Sequence, residues 1–81
     1  MELEEIYKQI TPIFRDTLDN DDVNLTPETN AGEIEEWDSL SHILLVVGVE
    51  SHFGIKFNSV EIAELQNVGE FVSLIHDKID S

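Results

Sequence analysis

Apolar residues recur at helical spacing in four stretches of this chain. No stretch alternates apolar with polar in the manner of a half-buried strand. A chain so patterned hides its side chains by packing helix on helix. The first stretch sets Leu3, Ile6, Tyr7, Ile10, Phe14 and Leu18 on one stripe, with Pro12 inside it. A fresh start capped by Thr11 is one reading of that proline. The stripe keeps its phase across Pro12, however, so one kinked helix is expected.

A long connection follows, from Asp19 to Asp38, rich in turn and cap formers: Asp19, Asn20, Asp21, Asp22, Asn24, Thr26, Pro27, Asn30 and Gly32. Val23, Leu25, Ile34 and Trp37 are expected to pin it to the core, and Thr26-Pro27-Glu28 to make one helical turn. Asp38 suits the N-cap of a second helix, with Ser39 opening its first turn and Gly54 ending it after Phe53. Asn58 with Glu61 three residues on caps a short third helix, Ser59 to about Leu65. Asn67 with Glu70 repeats the signal for a fourth, with Val68, Phe71, Val72, Ile75 and Ile79 on one face. The expected fold is an all-α four-helix bundle: three longer helices, one short one, and a long first loop, in a single domain spanning residues 1–81.

The second helix carries more apolar surface than one core needs. Leu45, Val46, Val49 and Phe53 form one stripe; Leu40, Ile43, Leu44 and Val47 form another at i, i+3, i+4, i+7. Either the helix is central and covered on all sides, or the Leu40–Val47 stripe is partly exposed for partner proteins. Gly48 weakens a helix, and a close helix–helix approach would account for it.

Composition now excludes whole classes of function. A chain of 81 residues forms one modest core, with no room for a deep enclosed active site. Its longest apolar run, Ile43 to Val47, cannot span a bilayer. The start of the chain is acidic and lacks a signal-peptide pattern, so a cytoplasmic location is expected. There is no cysteine, hence no disulfide or thiolate chemistry. Eighteen Asp and Glu against four Lys and Arg give a formal net charge of −14, the wrong sign for nucleic-acid binding and the right sign for partners with basic patches. His42, His52 and His76 match no compact metal site, and Asp19, Asp21 and Asp22 lack the glycine and closing glutamate of a calcium loop. No metal is expected, and no catalytic residue: Ser39 lacks a Gly-x-Ser-x-Gly elbow.

Trp37-Asp38-Ser39-Leu40 lies where the acidic loop meets the second helix. Here the chain resembles the acyl carrier protein family, whose signature at this junction is Asp-Ser-Leu. The likeness covers nearly the whole chain, including Glu50, His52 and Phe53 at the end of helix two. It implies that a phosphopantetheinyl transferase attaches 4′-phosphopantetheine from coenzyme A to Ser39, and that the arm's thiol carries an acyl group as a thioester. It implies further that Asp38 assists that transferase and that Leu40 belongs to the docking contact. A serine at a helix start is physically suited to hold a phosphodiester, close to free backbone N–H groups and the positive end of the helix dipole. With Trp37, Ile43, Val47, Glu50 and Glu61, Asp38 and Leu40 make up the expected docking set for acyl-loading and acyl-transfer enzymes. A monomer is expected.

The chain departs from the fatty-acid carriers it resembles. They place several acids along helix two; here those places hold Ser41, Leu44, Ser51 and His52, and the acids lie at Glu33, Glu35, Glu36, Glu61 and Glu64. Trp37 replaces a small residue, either to pack on the loop or to meet a partner. A dedicated carrier in a specialised lipid, polyketide or related pathway is expected. A peptidyl or D-alanyl carrier would share the arm but not the cargo, and an unmodified acidic adaptor would use the Leu40–Val47 stripe alone.

Overall fold

The computed structural model describes residues 2–80 as four helices: α1 (Leu3–Leu18), α2 (Ser39–Phe53), α3 (Ser59–Glu64) and α4 (Val68–Asp80). No strand occurs among the described residues, and none of their helices is long and apolar enough to cross a membrane. The helical bundle expected from the periodicity is therefore the fold. α1 continues through Pro12 as one helix. The proline removes one donor from the ladder, and beside it the Thr11 hydroxyl donates to the Tyr7 carbonyl at 2.6 Å. Ile6, Ile10, Phe14 and Leu18 are buried, in phase with the sequence stripe, while Leu3 at the open end is half exposed.

The core is built where the inner faces of α1, α2 and α4 meet. Leu45, Val46 and Val49 of α2 face Val68, Phe71, Val72 and Ile75 of α4 and the α1 stripe within one buried cluster. Phe14 stands edge-on to Trp37 at 5.3 Å between ring centroids and lies 6.2 Å from Phe71, which in turn lies 5.7 Å from Phe57. The edge-to-face Phe14–Trp37 pair is an arrangement aromatic quadrupoles favour, and the other two pairs are tilted. Gly48 lies close against α1: a Cβ there would lie 3.1 Å from Ile13 Cγ2.

The loop from Asp19 to Asp38 is pinned at several points. Val23 and Trp37 are buried, and Leu25 and Ile34 pack against the core. Arg15 donates from Nε to the Val23 carbonyl at 2.9 Å, tying the loop back to α1. Thr26-Pro27-Glu28 does not form the expected helical turn. It is a tight turn closed by the Thr29 N–H on the Thr26 carbonyl, with Thr29 Oγ1 accepting from the Thr26 N–H. A helical turn was not needed because the carbonyls of Pro27 and Thr29 have other partners: the N–H groups of Gly69 (3.0 Å) and Val68 (2.8 Å) at the start of α4. Helix N-termini leave such donors without partners, and here the loop backbone supplies them. Asn67 adds a side-chain cap to the Glu70 N–H at 2.8 Å.

Gly54 ends α2 in the left-handed conformation (φ 69°). Glu50 turns back at that end to accept from the Phe57 N–H at 2.7 Å. α3 opens on a complete capping box between Asn58 and Glu61. It stops at Glu64, because Leu65 is already extended.

Candidate functional site

Asp38 fixes the start of α2. Its backbone is extended, and Oδ1 accepts from the Ser41 N–H at 2.9 Å. That bond, above the others, holds the Asp38 carboxyl below its ordinary value of 3.8. The Ser41 hydroxyl donates to the Glu36 carbonyl at 2.8 Å, so the last turn of the loop and the first turn of α2 are laced together. Ser39 lies inside this lacing and is exposed. The hydroxyls and carboxylates around it are occupied, and among the described residues no hydrogen bond engages the Ser39 hydroxyl itself.

A groove of about 660 Å³ opens beside it, between the first turns of α2 and the whole of α3. Ser39, Ile43, Ile62, Ala63 and Leu65 line it, and Trp37, His42 and Ala31 close one side. The groove is mostly apolar, yet His42 crosses it: Trp37 Nε1 donates to His42 Nδ1 at 3.2 Å, and His42 Nε2 lies 3.3 Å from the Ile62 carbonyl.

The remaining docking candidates divide sharply. Leu40, Ile43, Leu44 and Val47 are 70%, 49%, 50% and 54% exposed, whereas Leu45, Val46 and Val49 are buried. The second apolar stripe of α2 therefore faces outward, which decides between the two readings of that helix. Trp37 must be corrected. The residue is only 7% exposed and its ring packs on Phe14, so of its two expected roles it takes the core one and is not an exposed contact for partners. Glu50 and Glu61 are also engaged within the fold, Glu50 on the Phe57 N–H, Glu61 on Asn58 and on Lys78 at 3.0 Å. Those bonds, with the Asn58 amide first, hold the Glu61 carboxyl below its ordinary value. No group of His, Asp and Glu that could hold a metal occurs among the described residues.

The sequence did not single out His42, Ile62 or Leu65 as parts of the site. One signal was present: a histidine on the first turn of a helix otherwise dominated by aliphatic side chains, five residues after the chain's one tryptophan.

A short bundle that offers an unengaged hydroxyl at the capped start of a long helix, beside an open apolar groove, defines a carrier domain: a platform that presents a covalently attached group. Known proteins agree. The chain matches the family described as phosphopantetheine attachment site over residues 8–75. It is 32% identical over 76 residues to an acyl carrier protein of Thermotoga maritima, covering 94% of each chain, and 33% identical over 75 residues to one of Rubrobacter xylanophilus, covering 93% of each. The solution NMR structure of a holo acyl carrier protein from Geobacter metallireducens is similar with a TM-score of 0.86 at 44% identity, over 91% of this chain and 85% of that one. The chain belongs to the acyl carrier protein family, whose members work through a phosphopantetheine arm and are carriers, not catalysts. They meet phosphopantetheinyl transferases and the enzymes that load and unload the arm.

The residues present fit that arm. An exposed hydroxyl without a hydrogen-bond partner is what a phosphodiester linkage requires, and the start of a fifteen-residue helix favours negative charge next to it. When bound, phosphopantetheine supplies the thiol on which an acyl group is held; the protein contributes its presentation.

Proposed function

We propose that Ser39 is the attachment residue and that the protein is a cytoplasmic carrier of acyl groups in a specialised lipid, polyketide or related pathway. The observation that carries the assignment is the unengaged Ser39 hydroxyl at the N-terminus of α2, beside the apolar groove. Asp38 holds that turn in shape for the transferase. The outward face of α2 supports the specialised role. Leu40, Ile43, Leu44 and Val47 present an aliphatic surface, and the acids that could surround it at Glu50 and Glu61 are already engaged by Phe57, Asn58 and Lys78. Loading and transfer enzymes that use this carrier are expected to meet it through apolar contact with α2, with basic patches answering the acids of the loop.

The experiment has two stages. Incubation with coenzyme A and a broad-specificity transferase should add the mass of one arm to the wild-type chain and none to Ser39→Ala, with the melting temperature of the variant unchanged. The loaded chain is then offered to fatty-acid-synthase enzymes, which should turn it over much more slowly than their own carrier. No mass gain in the wild type would leave the acidic adaptor as the surviving reading. Turnover equal to that of a general carrier would remove the specialised pathway. Acceptance of an aminoacyl group from an adenylating enzyme, with no acyl loading, would replace the acyl cargo by a peptidyl or D-alanyl one.

A further inference from the structure

We propose that His42 is the positioning residue of the groove beside Ser39. As a neutral imidazole protonated on Nε2, it ties the Trp37 indole to the Ile62 carbonyl and so fixes α3 against the loop and the first turn of α2. The proposal deepens the carrier reading and rests on it only for what enters the groove, the apolar part of a group carried on Ser39.

The tautomer follows from the partners. An indole N–H can only donate and a carbonyl can only accept. Trp37 Nε1 lies 3.2 Å from His42 Nδ1, so Nδ1 is bare; Ile62 O lies 3.3 Å from Nε2, so Nε2 carries the hydrogen. The two rings are nearly parallel, at 22° and 6.0 Å between centroids. One end of this relay is anchored: Trp37 is buried against Phe14. The other end needs anchoring. α3 has six residues and buries none of them fully. Elements with so little packing open locally at low free energy. Apart from the half-buried Ile62, what holds α3 is polar: its capping box, the Lys78–Glu61 ion pair, and His42. The first of these secures its N-terminus and the second reaches it from α4. Among the described residues, His42 is the polar link from the last turn of α3 to the α2 wall of the groove, beside the apolar packing of Ile62 and Leu65. The Ile62 carbonyl belongs to that last turn and accepts from the Leu65 N–H at 3.4 Å as well as from His42.

A second proton on the imidazole would set an N–H against the indole N–H. The link to Trp37 would break, while the link to Ile62, now from a cation to a helix C-terminus, would persist. His42 and α3 would then move as a unit from the loop, and the groove would widen. Other charged groups do not confuse this titration. Among the described residues lining the two cavities that flank His42, Asp38 is the only other titratable one; α4 contributes Phe71 and α1 contributes none. Glu61, on α3 itself, is engaged with Asn58 and Lys78. Both carboxylates are held below their ordinary values and stay charged at neutral pH.

The test uses the full, unmodified chain, so its result is independent of whether Ser39 accepts an arm. The ring-nitrogen shifts of His42, the Trp37 indole resonance and the hydrogen-exchange protection of the Ile62 and Leu65 amides are followed from about pH 8 to 5. In the wild type, His42 should be the Nε2–H tautomer at neutral pH, and the indole resonance should move with the titration of the imidazole. The protection of the two amides should change at the same midpoint, by roughly two- to tenfold, the worth of one hydrogen bond. His42→Gln places an acceptor and a donor on one amide and should keep the protection without the pH transition. His42→Phe keeps the ring and should lose the protection at every pH. A proton on Nδ1 in the neutral wild type, full protection in His42→Phe, or a transition that survives in His42→Gln would each overturn the proposal. The first needs no substituted protein.

Discussion

At the scale of single residues, the start of α2 is the most legible part of the chain. Asp38 caps because a short carboxylate reaches the amide three residues on, and that geometry needs nothing beyond the local backbone. The same locality predicts a pH dependence. Folding favours the charged form of Asp38, so its contribution is whole above the unfolded value of 3.8 and is lost as pH falls through the lower folded value. Asp38→Ala should therefore lower the melting temperature at neutral pH, with Asp38→Asn closer to the wild type because it keeps an acceptor. The gap between Asp38→Ala and the wild type should close as the pH is taken down through the lowered folded value, where the wild-type carboxylate itself protonates. A gap that stays constant down to acid would show that the carboxylate charge plays no part in the cap. Trp37, expected both to pin the loop and to meet partners, was half legible, and His42 was not legible. Both lie within five positions of the cap, yet their partners are Phe14 and Ile62, supplied by other helices.

At the scale of elements, every helix was legible, because apolar phase and cap residues specify them locally. Their terminations were legible where a glycine or an Asn–Glu pair stood, at Gly54, Asn58 and Asn67. The loop was not. Its turn at Thr26–Thr29 exists to offer carbonyls to the N-terminus of α4, some forty residues away along the chain, and no local signal announces that. Gly69 records the contact. A Cβ at this position would lie 2.9 Å from the Pro27 carbonyl oxygen and 3.2 Å from Pro27 Cα, both backbone atoms that cannot step aside. Gly69→Ala should be destabilising: crowding of roughly 1–3 kcal/mol outweighs the gain in helix propensity of at most about 1 kcal/mol. Thermal unfolding measures the balance. A variant as stable as the wild type would mean that the loop yields and that its carbonyls are not a fixed cap for α4.

At the scale of the whole molecule, charge dominates. A net charge of −14 lies on a body of 33 × 25 × 22 Å. At an ionic strength of about 0.01 M the screening length, about 30 Å, spans that body, and near 0.15 M it shrinks to about 8 Å. Added sodium chloride should therefore raise the melting temperature, most steeply in the first ~0.1 M, with about 4–8 °C for each kcal/mol of relieved repulsion. A melting temperature indifferent to salt would mean that the acids are already neutralised by counter-ions in the folded state. The sequence by itself determined the helices, the capped serine at the head of the second, and the sign of the molecule's field, because each depends on neighbours within one or two turns or on a simple sum. Only the tertiary structure decided which stripe of α2 is buried and which faces outward, that the tryptophan joins the core, and that a histidine spans the groove. Those outcomes depend on which helices arrive at each face, and hydrophobicity along one helix is nearly the same on both of its sides.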